Sequence, residues 1–316
     1  MNNKEKYRKF CLDESEMSIF SKDWWLDAVC GKNNWNVVLV EKGGHIVGAL
    51  PFFCCQRFVF KGIGMPLLTQ TMGPYIKYPP GQKYETKLGY EKEIFNSLIE
   101  SLPKVDFFLQ NFNYRITNWL AFYWKGFEQK TRYTYVLENL NDLDSVWKNF
   151  NNKLRTDIRK AERELKVVDS DNCEAFYEIN KKTFVRQNLA TPYQLEFVKN
   201  IDSACMNRGC RKIFLAVDDE QNIQAAIYIV WDQASAYYLM GGSDPRFRNS
   251  GATSLLLWHA VKFANTRVSR FDFEGSMHEN IERFFRSFGA VQKPYFQISK
   301  FNSPLLRVFK ILKSLA

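Results

Sequence analysis

The segment from Ile213 to Met240 constrains this chain more than any other. Three runs of strand length, Ile213–Val217, Ile223–Trp231 and Ala236–Met240, follow one another with only short links between them. The links, Asp218-Asp219-Glu220-Gln221-Asn222 and Asp232-Gln233, are made of residues that turns prefer. Such a pattern predicts a meander. Helical stretches at Cys173–Arg186 and Pro192–Asn207 precede it. A helix at Thr253–Ala264, a strand at Arg270–Phe273, a helix at about Asn280–Phe288 and a strand at Tyr295–Ser299 follow. A doubly wound sheet would alternate strand and helix throughout, and this order does not.

The first half reads as a similar unit. A helix over Ile19–Cys30 leads to strands Trp35–Glu41 and His45–Phe53, hinged at Lys42-Gly43-Gly44, where glycine tolerates positive φ. Past an irregular stretch near Pro66–Pro74 come a helix at about Glu91–Leu102 and strands at Val105–Gln110 and Tyr133–Leu137. Charged helices over Ser145–Leu165, entered through a cap at Asp144, open the second half. The expectation is an α/β chain of two like domains, 1–145 and 146–316, each a mixed sheet flanked by helices.

Composition narrows the function classes. Of 316 residues, 46% are hydrophobic and 25% charged, as in a water-soluble globular protein. No apolar stretch is long enough to span a bilayer, and the charged N-terminus has no signal segment behind it. The seven cysteines are odd in number and lack a C-x-x-C pair, and the three histidines have no metal spacing. Reduced thiols in a cytoplasm and chemistry without a metal are expected. Residues 1–145 carry 18 basic and 16 acidic side chains, so nearly all of the +10 net charge lies in the second half. That half suits an anionic partner.

One short motif gives that charge a place. Arg248-Asn249-Ser250-Gly251-Ala252-Thr253 lies between the last meander strand and the helix after it. A helix N-terminus exposes unpaired N–H donors and partial positive charge, and glycine lets a phosphate come close. The segment resembles the Gln/Arg-x-x-Gly-x-Gly/Ala loop of the GNAT acyltransferases, which holds a cofactor pyrophosphate. Thr253 departs from it at the last small position. By that resemblance residues 248–253 bind a phosphate-bearing donor, and Gly251→Val is expected to weaken the donor while sparing the fold.

Further stretches resemble the FemAB family, which is built of two GNAT domains and moves amino acids from aminoacyl-tRNA to a peptidoglycan precursor. Arg155-Thr156-Asp157-Ile158-Arg159-Lys160-Ala161 is similar to its Arg-x-x-Ile-x-x-Ala signature. Phe271-Asp272-Phe273-Glu274-Gly275, then Phe284-Phe285-Arg286-Ser287-Phe288-Gly289, resembles its Asp-Phe-x-Gly … Phe-Lys-x-x-Phe-Gly ending, with Arg for Lys. Gly73-Pro74 resembles an element of the first domain. The coiled-coil arm of some members has no counterpart.

The resemblance implies direct attack by an amine on the donor in a ternary complex, with no enzyme nucleophile and no tightly bound cofactor. The donor is then acyl-CoA or aminoacyl-tRNA. Strand alternation puts Asp272 and Glu274 on one face, so Glu274, then Asp272, is the candidate base. Tyr238 stands where a splayed strand end would turn a backbone N–H toward the donor carbonyl. Arg155, Arg159 and Arg186 are candidate contacts for a phosphate-rich substrate. His259, inside an apolar run, reads as a packed helix residue.

The acceptor would be a small molecule or a lipid-linked cell-wall precursor, with tRNA as a further partner. Ser303–Ala316 is an amphipathic basic helix by its spacing, fit to lie at the inner face of a membrane or to pack on the protein itself. The rival function is a catalytically silent GNAT-fold module that binds RNA or anionic lipid.

Overall fold

Gly43 and Gly44, at φ 57° and 78°, turn strand β1 (Trp35–Lys42) back onto β2 (His45–Arg57), as the sequence predicts. The computed structural model describes residues 1–308. Among these the chain forms two compact units, Met1–Arg132 together with the chain from Pro294 onward, and Tyr133–Lys293. The sequence puts the division after residue 145. Strand pairing is non-local, however, and the chain changes unit inside two strands, Glu128–Leu137 (β6) and Val291–Phe301 (β12).

The first unit opens with a helix the sequence reading lacks, α1 (Asn3–Asp13), held at its start by a capping box between Asn2 and Glu5. Helix α2 (Asp23–Cys30) precedes the β1–β2 hairpin. Strands β3 (Phe60–Gly64) and β4 (Tyr75–Ile76), helix α3 (Tyr84–Glu100), strand β5 (Phe107–Asn111) and helix α4 (Leu120–Trp124) follow. Strand β6 (Glu128–Leu137) starts in this unit and ends in the other. The sheet runs β1-β2-β3-β5-β12, with only β3 and β5 parallel, and β4 lies beside β2. Its last strand comes from the far end of the chain, where Gln297–Phe301 pairs with β5. Phe95, Phe108, Phe112 and Phe122 pack as a ring cluster against Leu50, Ile63 and Ile298.

In the second unit the charged helices expected over Ser145–Leu165 are α5 (Leu143–Asn149) and α6 (Asn152–Glu164). Asn151 breaks them by capping the second through its side chain. Strand β7 (Lys166–Ser170), helices α7 (Cys173–Arg186) and α8 (Leu195–Met206), and strands β8 (Arg211–Val217), β9 (Ile223–Trp231) and β10 (Ser235–Ser243) come next. Helix α9 (Ala252–Asn265) crosses to β11 (Arg270–Asp272), then α10 (Glu279–Arg286) leads to β12 (Val291–Phe301). The order is β6-β11-β10-β9-β8-β7, antiparallel except for β10 and β11. Each unit thus combines an antiparallel meander, a helical crossover, one parallel strand and a closing strand. That is the mixed-sheet α/β fold expected.

The FemAB-like signatures divide by role. Ile158, Ala161, Phe285 and Phe288 are all buried in the core of the second unit, so these motif positions build the fold rather than touch a ligand. Among the described residues no helix is long and apolar enough to cross a membrane. Residues 304–308 are helical, and the rest of the expected amphipathic C-terminal helix lies outside the described residues.

Candidate functional site

The site grows out of a parting in the sheet of the second unit. β10 and β11 pair only over Ser235–Tyr237, because β11 ends at Asp272 while β10 continues to Ser243. On its other side β10 stays paired with β9, through a register slip that leaves Leu239 without an opposite residue. A bulge of this kind re-aims backbone groups and is common beside active sites. The strand expected to splay near Met240 does so.

Asn180 holds the splayed strand in place. It is buried on α7, its Nδ2 donates to the Gly241 carbonyl at 2.8 Å, and its Oδ1 accepts from the Tyr193 hydroxyl at 2.9 Å. The Tyr238 ring packs edge-on against Phe285, and its hydroxyl lies over Gly241, within 1.9 Å of where a Cβ would stand there. Burial, with Tyr193 close by, pushes the Tyr238 phenol above its ordinary range, so it stays protonated.

Beyond β10, Asp244 organises the next turn. Its carboxylate, almost wholly buried, accepts from Lys182 Nζ at 2.6 Å and from Arg246 Nη2 at 2.9 Å, and it caps the short helix Pro245–Phe247. The Arg246 and Lys182 bonds hold its pKa well below the usual carboxylate range. The chain then reaches Gly251, at φ 76°, which caps α9. Of the first-turn N–H groups of α9, that of Ala252 donates to Ser250 Oγ at 3.3 Å, and those of Thr253 and Ser254 have no acceptor within the helix. They open onto a cavity of about 260 Å³ lined by Ser243, Phe247, Arg248, Ser250, Gly251 and Phe284 among others. Arg248 and Asn249 are exposed on its rim.

Gly251 has a packing role that its motif does not imply. A Cβ there would sit 2.8 Å from the Asp157 carbonyl and 3.3 Å from the Ala161 methyl. The absent side chain lets α9 approach α6, and the positive φ sets the cap. The expectation that Gly251→Val would spare the fold is therefore withdrawn.

At the end of β11 the two candidate carboxylates part. Asp272 is buried, and its Oδ1 accepts from the Thr134 hydroxyl at 2.5 Å and from the Glu274 N–H at 2.7 Å. It fixes the strand end. Glu274 then takes φ 58°, which ends the alternation that would have put both carboxylates on one face. Gly275 follows at φ 60°, and a Cβ on it would meet the Tyr133 carbonyl at 2.3 Å. Glu274 is only half-buried as a residue, yet its Oε1 is shut from solvent and has no hydrogen-bond partner. Burial first, and then the Asp272 carboxylate, push its pKa well above the ordinary carboxylate range. Its charge also acts on the Tyr193 phenol, which burial chiefly raises. Tyr193 and Tyr238 thus both bear on Gly241 of the splayed strand, the first through Asn180 and the second directly.

The arginines expected to bind phosphate do not gather there. Arg155 and Arg159 each lie two residues from Asp157, hence about 160° round α6 from the side that meets Gly251. Arg155 bonds to Asn152, and Arg159 lies 5.6 Å from the Trp147 ring. Arg186 is exposed at the end of α7. His259 packs edge-on to Phe214 with ring centres 4.8 Å apart, and burial lowers its pKa. Thr134, Asn180, Lys182 and Tyr193 escape a sequence reading because they reach the site from distant elements. Asp244-Pro245, just before residues 248–253, is a local sequence signal for this turn.

Residues 148–286 match the model of the acetyltransferase (GNAT) domain. Among solved structures the chain has the fold of FemX, with a TM-score of 0.69 at 15% identity over 98% of both chains. A tandem GNAT protein from the clavulanic acid biosynthesis pathway matches at TM-score 0.52 and 10% identity, over 95% of this chain and 94% of that one. The C-terminal domain of a protein assigned as lysylphosphatidylglycerol synthetase, from Agrobacterium fabrum, matches at 0.57 and 10%, over 99% and 96%. Comparison with curated protein sequences gives no significant match. The matched residues lie within the second unit, which is therefore similar to a GNAT acetyltransferase domain. The chain as a whole shares its fold with FemX and with that tandem GNAT protein.

Proposed function

We propose that this chain moves an acyl or aminoacyl group from a phosphate-bearing donor to an amine of a cell-envelope precursor. The observation that carries the reading is the parting of β10 from β11 between two features. On one side is the N-terminus of α9 with its cavity, and on the other the buried Glu274 carboxyl. Donor phosphates would lie on the N–H groups of Thr253 and Ser254, with Arg248 adding charge from the rim. The donor carbonyl would point into the splayed segment near Leu239, where a backbone N–H can stabilise the developing oxyanion.

The amine nitrogen attacks the carbonyl carbon and forms the amide, and the bond to the donor sulfur or ribose oxygen breaks. Glu274, in its ionised form, accepts a proton from the nitrogen as the C–N bond forms, and that proton then passes to the departing sulfur or oxygen. Asp272 acts through Glu274 by fixing its backbone. Acyl-CoA and aminoacyl-tRNA both offer phosphates for the cradle. The threonine at position 253, where a CoA-binding loop has a smaller residue, favours the aminoacyl-tRNA donor. Like-fold proteins named FemX and lysylphosphatidylglycerol synthetase support an envelope acceptor, peptidoglycan precursor or lipid. Work at the cytoplasmic face of the membrane follows from such an acceptor.

Labelled acetyl-CoA and labelled aminoacyl-tRNA, each offered with a lipid-linked peptidoglycan precursor or with phosphatidylglycerol, test the reading. Label should move to one acceptor from one donor, and Glu274→Gln should abolish most of it. Absence of transfer from both donors to both acceptors would favour the silent binding module instead.

A further inference from the structure

The β2–β3 hairpin of the first unit ends in a turn made of the wrong residues for a turn. Arg57 pairs with Phe60, so Phe58 and Val59 form a two-residue loop. Gly, Asn and Asp dominate such loops because one or both central residues need positive φ. Here Phe58 sits at φ 54°, an unfavourable conformation for a bulky side chain, and it is 94% exposed, with Val59 79% exposed. Local stability gains nothing from this choice. An outlier of this kind points to a use for the exposed side chains.

The tip also protrudes. β1 accompanies β2 only as far as Phe53, so the segment from Cys55 to Phe58 extends roughly 10 Å beyond that pairing at ~3.3 Å per residue. Arg57 and Lys61 flank the tip and are exposed. Asp106 ties its base to the end of the chain. The Asp106 carboxylate accepts from the Lys61 N–H at 2.9 Å, and its carbonyl accepts from the N–H groups of Asn302 and Ser303. Immediately after these, the helical residues 304–308 present Leu305 and Val308, 63% and 55% exposed, beside Arg307. The sequence beyond adds Lys310 and Lys313 and no acidic residue. One edge of this unit therefore combines projecting apolar side chains with basic ones. The nearby acid, Asp106, spends its carboxylate on the backbone.

We infer that this edge is a membrane-docking surface for anionic phospholipid, in which Phe58 and Val59 enter the interface while Arg57, Lys61 and Arg307 meet the headgroups. A depth of about 5–10 Å is the range in which interfacial segments bury their apolar face, and the projection of the tip fits it. An RNA partner would use the same charges but has no use for Val59, which offers no face for stacking. The inference is independent of the acyl-transfer reading, since docking requires no catalysis.

The test uses the full chain with vesicles of phosphatidylcholine alone or mixed equally with phosphatidylglycerol. The double variant Phe58→Gly, Val59→Ser installs turn-favouring residues and should fold at least as well as the natural chain. Its binding to anionic vesicles should fall roughly tenfold or more, given the apolar area withdrawn. In a separate variant, Phe58→Trp, the added indole emission should shift to the blue with anionic vesicles and be quenched by brominated acyl chains. Undiminished vesicle binding by the double variant overturns the inference. So does an indole that responds to RNA and not to vesicles, or one that brominated lipid leaves unquenched.

Discussion

The backbone N–H of Glu274 donates to the Oδ1 of Asp272 at 2.7 Å, so the carboxylate that closes β11 sets the conformation of the one beyond it. Two acids that strand alternation would place side by side are instead given separate tasks. Asp272 is a buried anchor. Glu274 leaves the strand at φ 58° with one oxygen sealed away from water and from any partner.

Glu274 makes stability depend on pH in an unusual direction. Burial and the Asp272 carboxylate raise its pKa in the folded chain, whereas the unfolded chain releases this proton near pH ~4.3. Between those values the folded state binds more protons, so stability falls as pH rises through the window and levels off above the raised value. Glu274→Gln removes this loss. Denaturant unfolding of both proteins from acid to alkaline pH should show the variant gaining on the natural chain as pH rises. A constant difference across the range would contradict the buried carboxyl.

The same substitution should act on turnover more than on binding, since Gln keeps the shape and cannot accept a proton. With whichever donor and acceptor support transfer, kcat should fall by roughly 100-fold or more, the scale of general-base catalysis, with KM little changed. The natural enzyme's rate should climb with pH through the raised pKa. A pH-independent rate in both proteins would assign the proton to the substrate itself.

Thr134→Val removes the hydroxyl that donates to the buried Asp272. Loss of a hydrogen bond to a buried charged group costs about 1.5–3 kcal/mol, which urea unfolding would show as a lower midpoint with an unchanged slope. Because Asp272 positions Glu274, acyl transfer should drop as well, and Thr134→Ser should restore both. Loss of stability with full activity would separate Asp272 from the site.

Much of this molecule was legible in its sequence, and the failures have physical causes. Helix α7 and strand β9 have the bounds that periodicity predicts, because an apolar stripe or run identifies each. The β2–β3 hairpin was invisible. Its turn is Phe58-Val59, which carries no turn signal, so the sequence pattern ends β2 at Phe53 and gives β3 no partner. The motif marks the loop before α9, but it carries no sign of the close approach of Asp157 to Gly251, which is a fact of packing between α6 and α9. The arginines of α6 looked right on charge alone, and only the direction of the helix against α9 shows them turned away. Asn180 and Tyr193 could not be found locally, because their role arises where α7 and the chain after it meet β10.

Gly251→Ala should destabilise the fold by about 1–3 kcal/mol, since it places a side chain at φ 76° and 2.8 Å from a carbonyl oxygen. Arg248→Ala, at an exposed position, should leave unfolding unchanged and weaken donor binding at low salt, with the difference shrinking as salt rises. Calorimetric titration of donor at two ionic strengths, alongside thermal unfolding, separates the two effects. A stable Gly251→Ala protein would contradict the packing role.

The central claim is that the parting of β10 and β11, beside the N-terminus of α9, receives the donor. Amide hydrogen exchange measured with and without acetyl-CoA, and with and without an aminoacylated RNA minihelix, tests it most directly. One of these donors should slow exchange over residues 248–254 and over 238–243 together, and Arg248→Ala should weaken that protection. Protection by neither donor in these two segments, or protection confined to other parts of the chain, would contradict the account.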